Sequence, residues 1–200
     1  MFCPILPEVM IDKYASFTEL ARHEVAERDY RVTALARPDS AVLVVAPHGG
    51  RIEVGTSELA ALIAGAEHSL FTFDGLKPRG RNRDLHVTSH NFDHPVCLAL
   101  AARSSVTLGV HGCLGEAQIF IGGLDTELSV LLARELNAAG LPALGAGHRY
   151  PGLHPLNVCN RSRRGRGAQL EVTKDLRDPA GRMRIAAVVR TVLGAYRPSG

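Results

Sequence analysis

The sequence predicts an α/β fold layered around a largely parallel sheet, and three observations carry that prediction. Apolar, β-branched runs recur along the chain: AVLVVA at 41–46, SVTLGV at 105–110 and QLEVT at 169–173. They are the signature of strands buried on both faces. Amphipathic segments separate them, at 56–66, 126–139 and 182–196. Strands alternating with helices require crossover connections, and so a sheet covered on both sides. The chain has 200 residues, 46% apolar and 22% charged. That suits one domain with one sizeable core, and we read 1–200 as a single domain with an irregular stretch over 1–11.

In chain order, Ser16–Arg28 has helical spacing with Ser16 as N-cap. Residues 30–36 alternate as an edge strand would. Residues 41–46 form a buried strand, and the loop PHGGRIEVG follows it. A helix over 56–66 starts at Thr56 or Ser57. Short strands are expected at 69–73 and 85–89, with the basic loop KPRGRNR between them. A helix over 95–102, a strand over 105–110 ending at His111 and a short strand over 118–121 come next. A helix over 126–139 closes at Gly140. The strand at 169–173 and a helix over 182–196 complete the chain.

Composition also bounds function. A formal charge of +3 is too small to identify a nucleic-acid binder. The N-terminus lacks a basic segment followed by a long apolar one, and Pro4, Pro7 and Glu8 interrupt it. A signal peptide is therefore not expected, and the cytoplasm is the default compartment. No uncharged run reaches the ~20 apolar residues of a membrane span. Cys3, Cys97, Cys113 and Cys159 form no CxxC pair. They read as reduced core thiols rather than as a disulfide framework.

Active sites of open α/β sheets gather at the carboxyl ends of strands. His48 and His111 both stand there, each followed by glycine. Glu53 lies five residues beyond His48. Two imidazoles and one carboxylate are a catalytic zinc set that leaves a position open for water. The other reading is structural: strand-end histidines that only hydrogen-bond. Glu171 sits within an apolar strand, where a carboxylate is costly unless it is paired or functional. Its ordinary alternative is the solvent face of that strand.

The stretches DKYASFTEL, VVAPHGGRIEVGTSE, FDGLKP, LHVTS, FDHP, VHGC, IGGLD, LNVCNR and QLEVTKDLR occur in this order between residues 12 and 178. In them the chain resembles the poly-γ-glutamate hydrolases, phage-associated zinc enzymes distantly similar to zinc carboxypeptidases. The resemblance implies a three-layer α/β/α domain with a mixed sheet. It implies one zinc per chain held by His48, Glu53 and His111, and Glu171 as the base that activates water. The implied activity is hydrolysis of γ-amide bonds between glutamates, in an acidic polymer or related peptide. It also suggests that Asn157, Asn160 and Arg161 hold a substrate carboxylate, a task that suits the planar guanidinium fork.

Two basic tracts, 77–83 and 161–166, are either solvated surface or loops that steer a polyanion. The same charge would attract nucleic acid, and the rival reading is a phage-related nucleic-acid-binding accessory protein. No aromatics interleave the arginines and Trp is absent, which disfavours single-strand binding. His86 is assigned to the substrate or to the surroundings of the metal. His90 and His94 carry no assignment, and His148 and His154 fall in a Gly- and Pro-rich loop where exposure is expected.

Overall fold

In the computed structural model, residues 12–198 are described. The expectations for Cys3, for residues 1–11 and for the N-terminal signal lie outside them. The strands are β1 (Tyr30–Leu35), β2 (Val42–Gly50), β3 (Ser69–Gly75), β4 (Val106–Cys113), β5 (Ile119–Gly122), β6 (Ala143–Leu144) and β7 (Ala168–Thr173). The helices are α1 (Phe17–His23), α2 (Thr56–Ala64), α3 (Pro95–Arg103), α4 (Thr126–Ala138) and α5 (Pro179–Ala195). One seven-stranded sheet runs in the order β1-β3-β2-β4-β7-β5-β6. The central strands β3, β2, β4 and β7 are parallel, while β1 and β5 pair antiparallel at their flanks. The result is the expected three-layer α/β/α arrangement with a mixed, largely parallel sheet.

The alternation of side chains along each strand separates the two layers. Val42, Val44 and Ala46 of β2 share one cluster with Val106, Leu108 and Val110 of β4, Leu170 of β7 and the apolar faces of α2, α4 and α5. Leu43, Val45, Phe71 and Phe73 face the other way, onto α1, α3 and the segment through Leu85, Val87 and Phe92. By the same parity His111 and Glu171 belong to this second face. They are direct cross-strand partners near the carboxyl ends of β4 and β7.

Caps set the helix starts. Ser16 accepts from Glu19 N, Asp125 from Leu128 N and Asp178 from Gly181 N. α2 is the exception: its N-cap is Gly55, at φ 95°, with no side-chain cap bond. Thr56 instead donates its hydroxyl to the Glu53 carbonyl, which ties the helix start to the loop before it.

Several expected elements differ. Segment 85–89 is not a strand: a 3₁₀ turn covers Asn82–Leu85 and the chain then runs irregularly. Its backbone groups are taken by side chains, Val87 O by His48 and Thr88 N by Asp12. β2 extends through PHGG, with a register shift between Ala46 and Gly49 where the chain bulges. α1 stops at His23, because Asp29 accepts from Val25 N and folds the chain back into β1. The two-residue strand β6 was not anticipated. No described helix is long and apolar enough to cross a membrane. Cys97, Cys113 and Cys159 are free and buried, as reduced thiols would be.

Tract 161–166 splits in role. Arg164 is not a solvated cation: its Nη1 lies 2.7 Å from Asp125 Oδ2. Asp125 is 1% exposed, and its other oxygen accepts from Tyr196 at 2.8 Å as well as capping α4. Asp125→Ala removes the cap, the Tyr196 acceptor and a buried ion-pair partner together. We expect a loss of about 3 kcal/mol in urea unfolding. Asp125→Asn, which keeps an acceptor for the cap, should lose clearly less.

Candidate metal centre

The register shift in β2 aims His48 into the second face, where it meets His111 from β4. Their Nδ1 atoms are 3.3 Å apart. Glu53 Oε1 is 3.3 Å from His48 Nδ1, and Glu53 Oε2 accepts from Gly112 N at 2.7 Å. One ligand-type atom from each of His48, Glu53 and His111 falls within 4.8 Å of the others. Both histidines are buried, at 2% and 3% exposure. The spacing read from sequence thus corresponds to a real convergence.

The donor set fits a cation on grounds of its own chemistry. His48 Nε2 lies 2.8 Å from Val87 O, which can only accept, so Nε2 carries hydrogen. His111 Nε2 is 3.4 Å from Ser89 Oγ. Such outer hydrogen bonds orient metal-ligating imidazoles. The Nδ1 atoms then face each other and the carboxylate. If Ser89 donates to His111 Nε2, His111 Nδ1 can donate to His48 Nδ1; in the other tautomer the two lone pairs face each other, an arrangement that a bound cation relieves. Burial, aided by His48, pushes His111 down to about 3 and keeps it neutral. Burial alone would lower His48, but Glu53 beside it raises it. Burial alone would raise Glu53, but His48, His111 and His86 outweigh that and hold it at about 2. Glu53 beside it favours a proton on His48, and a metal ion would displace that proton.

Glu171 stands beside this cluster. Among the described residues it makes no hydrogen bond, and it is partly buried. Burial and the negative charge of Glu53 raise its carboxyl well above the ordinary value, against the opposing pull of Arg177 and Arg149. The solvent-face alternative therefore does not describe it.

Apart from His86, sequence reasoning missed the groups around these four. Asp12 Oδ1 lies 2.7 Å from His86 Nδ1 and its Oδ2 accepts from Thr88 N at 2.6 Å. His86 stacks on His48 with ring centroids 4.0 Å apart, its Nε2 4.0 Å from Glu53 Oε1. Arg177, buried, donates to Val54 O and Cys113 O, joining the Glu53 loop to the end of β4. A Cβ at Gly112 would meet that guanidinium, so a side chain there would displace Arg177. Arg149, over the Tyr150 ring at 4.9 Å, comes from the loop read as merely exposed. Asp12 and Arg177 fall inside the stretches that carried the family resemblance, but nothing in their local spacing marks a role.

Other expected site residues are placed elsewhere. Asn160 Oδ1 accepts from Leu124 N and Gly167 N, and Nδ2 donates to Gly152 O and His154 O. Its amide knits loops together, leaving no group for a substrate. Gly167 precedes β7 by one residue, so Asn160 sits four residues, roughly 13 Å, below Glu171 along the strand. Asn157 donates to Gln169 Oε1 and caps the turn through Cys159 N. Arg161 makes no hydrogen bond or ion pair among the described residues. Its loop is pinned by Arg163 N to Ser104 O, at the opposite end of β4 from His111. The turn that carries Arg161 begins beside the cluster, where Val158 N donates to Ser89 O and Ser89 Oγ faces His111 Nε2. His90 and His154 stack on each other at 4.5 Å, His94 caps α3, and His148 reaches Ile121 O at 2.9 Å.

A cleft of about 660 Å³ opens on the cluster, lined by Glu53, His86, Arg51, Arg83, Lys174 and Arg177 among others. The basic tract 77–83 contributes to it unequally. Lys77 is buried and paired with Glu24 at 2.5 Å, whereas Arg83 is exposed on the cleft wall.

Comparison with known proteins agrees with this architecture. The chain is 38% identical to the UPF0714 protein YndL of Bacillus subtilis (strain 168) over 180 residues, 88% of this chain and 70% of that one. A solved structure of YNDL in its zinc-free apo form superposes with a TM-score of 0.84 at 33% identity, covering 92% of this chain and 98% of that one. A bacteriophage poly-gamma-glutamate hydrolase superposes with a TM-score of 0.83 at 30% identity, covering 91% and 96%. In fold alone the chain is similar to a Shewanella denitrificans OS-217 protein assigned as a carboxypeptidase A, with a TM-score of 0.51 at 13% identity, covering 82% and 60%. The sequence model of one enzyme family spans residues 14–181, and this chain belongs to that family, the poly-gamma-glutamate hydrolases.

Proposed function

We propose that this chain hydrolyses the γ-glutamyl amide bonds of poly-γ-glutamate or a related acidic peptide, with one zinc held by His48, Glu53 and His111. The observation that carries the reading is the convergence of two imidazole nitrogens and one carboxylate oxygen beside the buried Glu171. The zinc-free YNDL structure, at 33% identity, supports zinc as the metal. Bound zinc supplies Lewis acidity, which polarises an amide carbonyl and acidifies water.

The chain's own residues supply the rest. Glu171 takes a proton from the attacking water at its carboxylate and returns it to the departing amine nitrogen. Arg177 and Arg149 favour its ionised form against burial and Glu53. Asp12 fixes the His86 ring, so that Nε2 faces the cleft and Glu53. His86 remains the substrate-facing histidine in this reading. Arg161 stays a candidate for holding a substrate carboxylate, alongside the cations of the cleft wall. The nucleic-acid reading loses support, since Arg164 is committed to Asp125 and Lys77 to Glu24.

Three outcomes test the assignment. His48→Ala, Glu53→Ala and His111→Ala should each weaken zinc binding by ~100-fold or more, since three ligands leave little redundancy. Competition with a chromophoric chelator measures this, and full zinc occupancy in all three variants would refute it.

Glu171→Gln keeps shape but removes the proton acceptor. Turnover of poly-γ-glutamate should fall by about two orders of magnitude or more, with zinc content unchanged. A variant that loses zinc would make Glu171 a ligand instead.

The raised carboxyl of Glu171 also has a stability consequence. Between its ordinary and its raised value the folded chain binds more protons than the unfolded one, so stability falls as pH rises through that window. Glu171→Gln should therefore raise the Tm of the metal-free chain at pH 8, and raise it less at pH 4. Equal shifts at both pH values would show that the carboxylate is not strained.

A further inference from the structure

This inference rests on the proposed function and concerns how the same cleft recognises its polymer. A γ-linked polyglutamate differs from an α-linked one in two chemical respects. Its main chain contains two methylenes per residue, and each residue carries a free α-carboxylate beside the amide. A site selective for that linkage needs apolar surface under the main chain and cations at its sides.

The cleft has both. Val54 and Leu114 are 65% and 75% exposed, among the most exposed large apolar side chains described. They stand next to the candidate ligands, Val54 adjacent to Glu53 and Leu114 three residues after His111, and both line the cleft. Exposed apolar surface at the mouth of a site marks contact with a ligand more readily than it marks folding. Arg83 and Lys174 line the same cleft, from the segment before His86 and the turn after β7 respectively. Among the described residues neither side chain has a hydrogen bond or ion pair. The cleft's other cations are occupied: Arg51 donates to Leu76 O and Lys77 O, and Arg177 to Val54 O and Cys113 O.

We infer that Arg83 and Lys174 bind the free α-carboxylates flanking the scissile amide, while Val54 and Leu114 pack on the main-chain methylenes, so that this cleft selects γ-linked glutamate. The guanidinium of Arg83 can take a carboxylate through two parallel hydrogen bonds, and the Lys174 ammonium acts as a point charge. An α-linked polyglutamate would bring its carboxylates on flexible side chains and offer no methylenes along its main chain.

The experiment uses a γ-linked glutamate pentamer, the same pentamer with its α-carboxylates amidated, and α-linked pentaglutamate. Binding to the metal-free full chain is measured by calorimetry at low salt, and KM and kcat with zinc supplied. Arg83→Gln and Lys174→Gln should each raise Kd and KM for the γ-pentamer about five- to tenfold. Both should leave kcat and zinc content nearly unchanged. The amidated pentamer should bind more weakly and be indifferent to either substitution. Val54→Ser with Leu114→Ser should weaken both γ-linked ligands alike and leave α-linked pentaglutamate unaffected. Should the wild type cleave the γ-pentamer while Kd and KM ignore both cations, the inference is overturned and the hydrolase reading stands. Should the γ-pentamer bind through these cations but resist cleavage with zinc bound, the subsite stands and the hydrolase reading falls. Equal binding of α- and γ-linked pentamers would overturn the linkage selectivity.

Discussion

Two partly buried carboxylates near the end of one sheet are the constraint on which the site depends. Glu53 and Glu171 repel each other in a low-dielectric setting, where removing either from water already costs several kcal/mol. The protein answers with positive charge at fixed positions. Arg177 and Arg149 act on Glu171, and His48, the imidazole whose own value Glu53 raises, acts most on Glu53. The arrangement is asymmetric. Glu53 is held ionised at about 2, whereas Glu171 is pushed up. Neighbouring carboxyls driven apart in this way can divide the labour, one binding a cation and the other exchanging a proton.

The sheet meets that constraint through topology. Three parallel neighbours, β2, β4 and β7, end together, so the residues at their carboxyl ends become spatial neighbours despite long separations in the chain. Register does the rest: His111 opposite Glu171 places an imidazole and a carboxylate on one face, and the bulge after Ala46 turns His48 onto the same face. Arg177 then closes the construction from beyond β7. Its guanidinium bridges the carbonyls of Val54 and Cys113, one residue from Glu53 and two from His111. Gly112 lies between these groups and offers its backbone N–H to Glu53. A glycine there serves close approach by Arg177, while the left-handed φ of 62° at Gly50 serves the turn out of β2.

What was legible in the sequence follows from which interactions are local. The strands 41–46, 105–110 and 169–173 announced themselves because burial on both faces demands unbroken apolar runs. His48, Glu53 and His111 were visible because each stands at or just beyond a strand end. The ring around them was not visible, since it is made by contacts far apart in sequence. Asp12 meets His86 across 74 positions and Arg177 meets Val54 across 123, and no spacing rule reaches so far. Segment 85–89 misled for the same reason. Its apolar alternation is real, with Leu85 and Val87 in the core, but its backbone partners are side chains and turn or loop backbone rather than a strand. The tract 161–166 misled in the opposite direction: its charge is conspicuous, yet Arg164 serves a buried pair with Asp125.

Charge count and charge placement therefore separate in this molecule. A net charge of +3 says little, and two cations of the basic tracts, Lys77 and Arg164, are spent on internal pairing. What reaches solvent near the reacting groups is a small set, Arg83 and Lys174 on the cleft wall with Arg149 nearby. Clefts focus the field of the charges that line them, so a few unpaired cations beside the cluster weigh more on a polyanion than a longer tract at the far end of β4. The same focusing acts inward. Each anionic group drawn into the cleft brings negative charge toward Glu53 and Glu171, which are already in conflict. On the proposed reading a polyanion meets Arg83 and Lys174 on the cleft wall, while Arg177 and Arg149 act on Glu171. Substrate attraction and the stability of the site thus draw on different positive charges of one cleft.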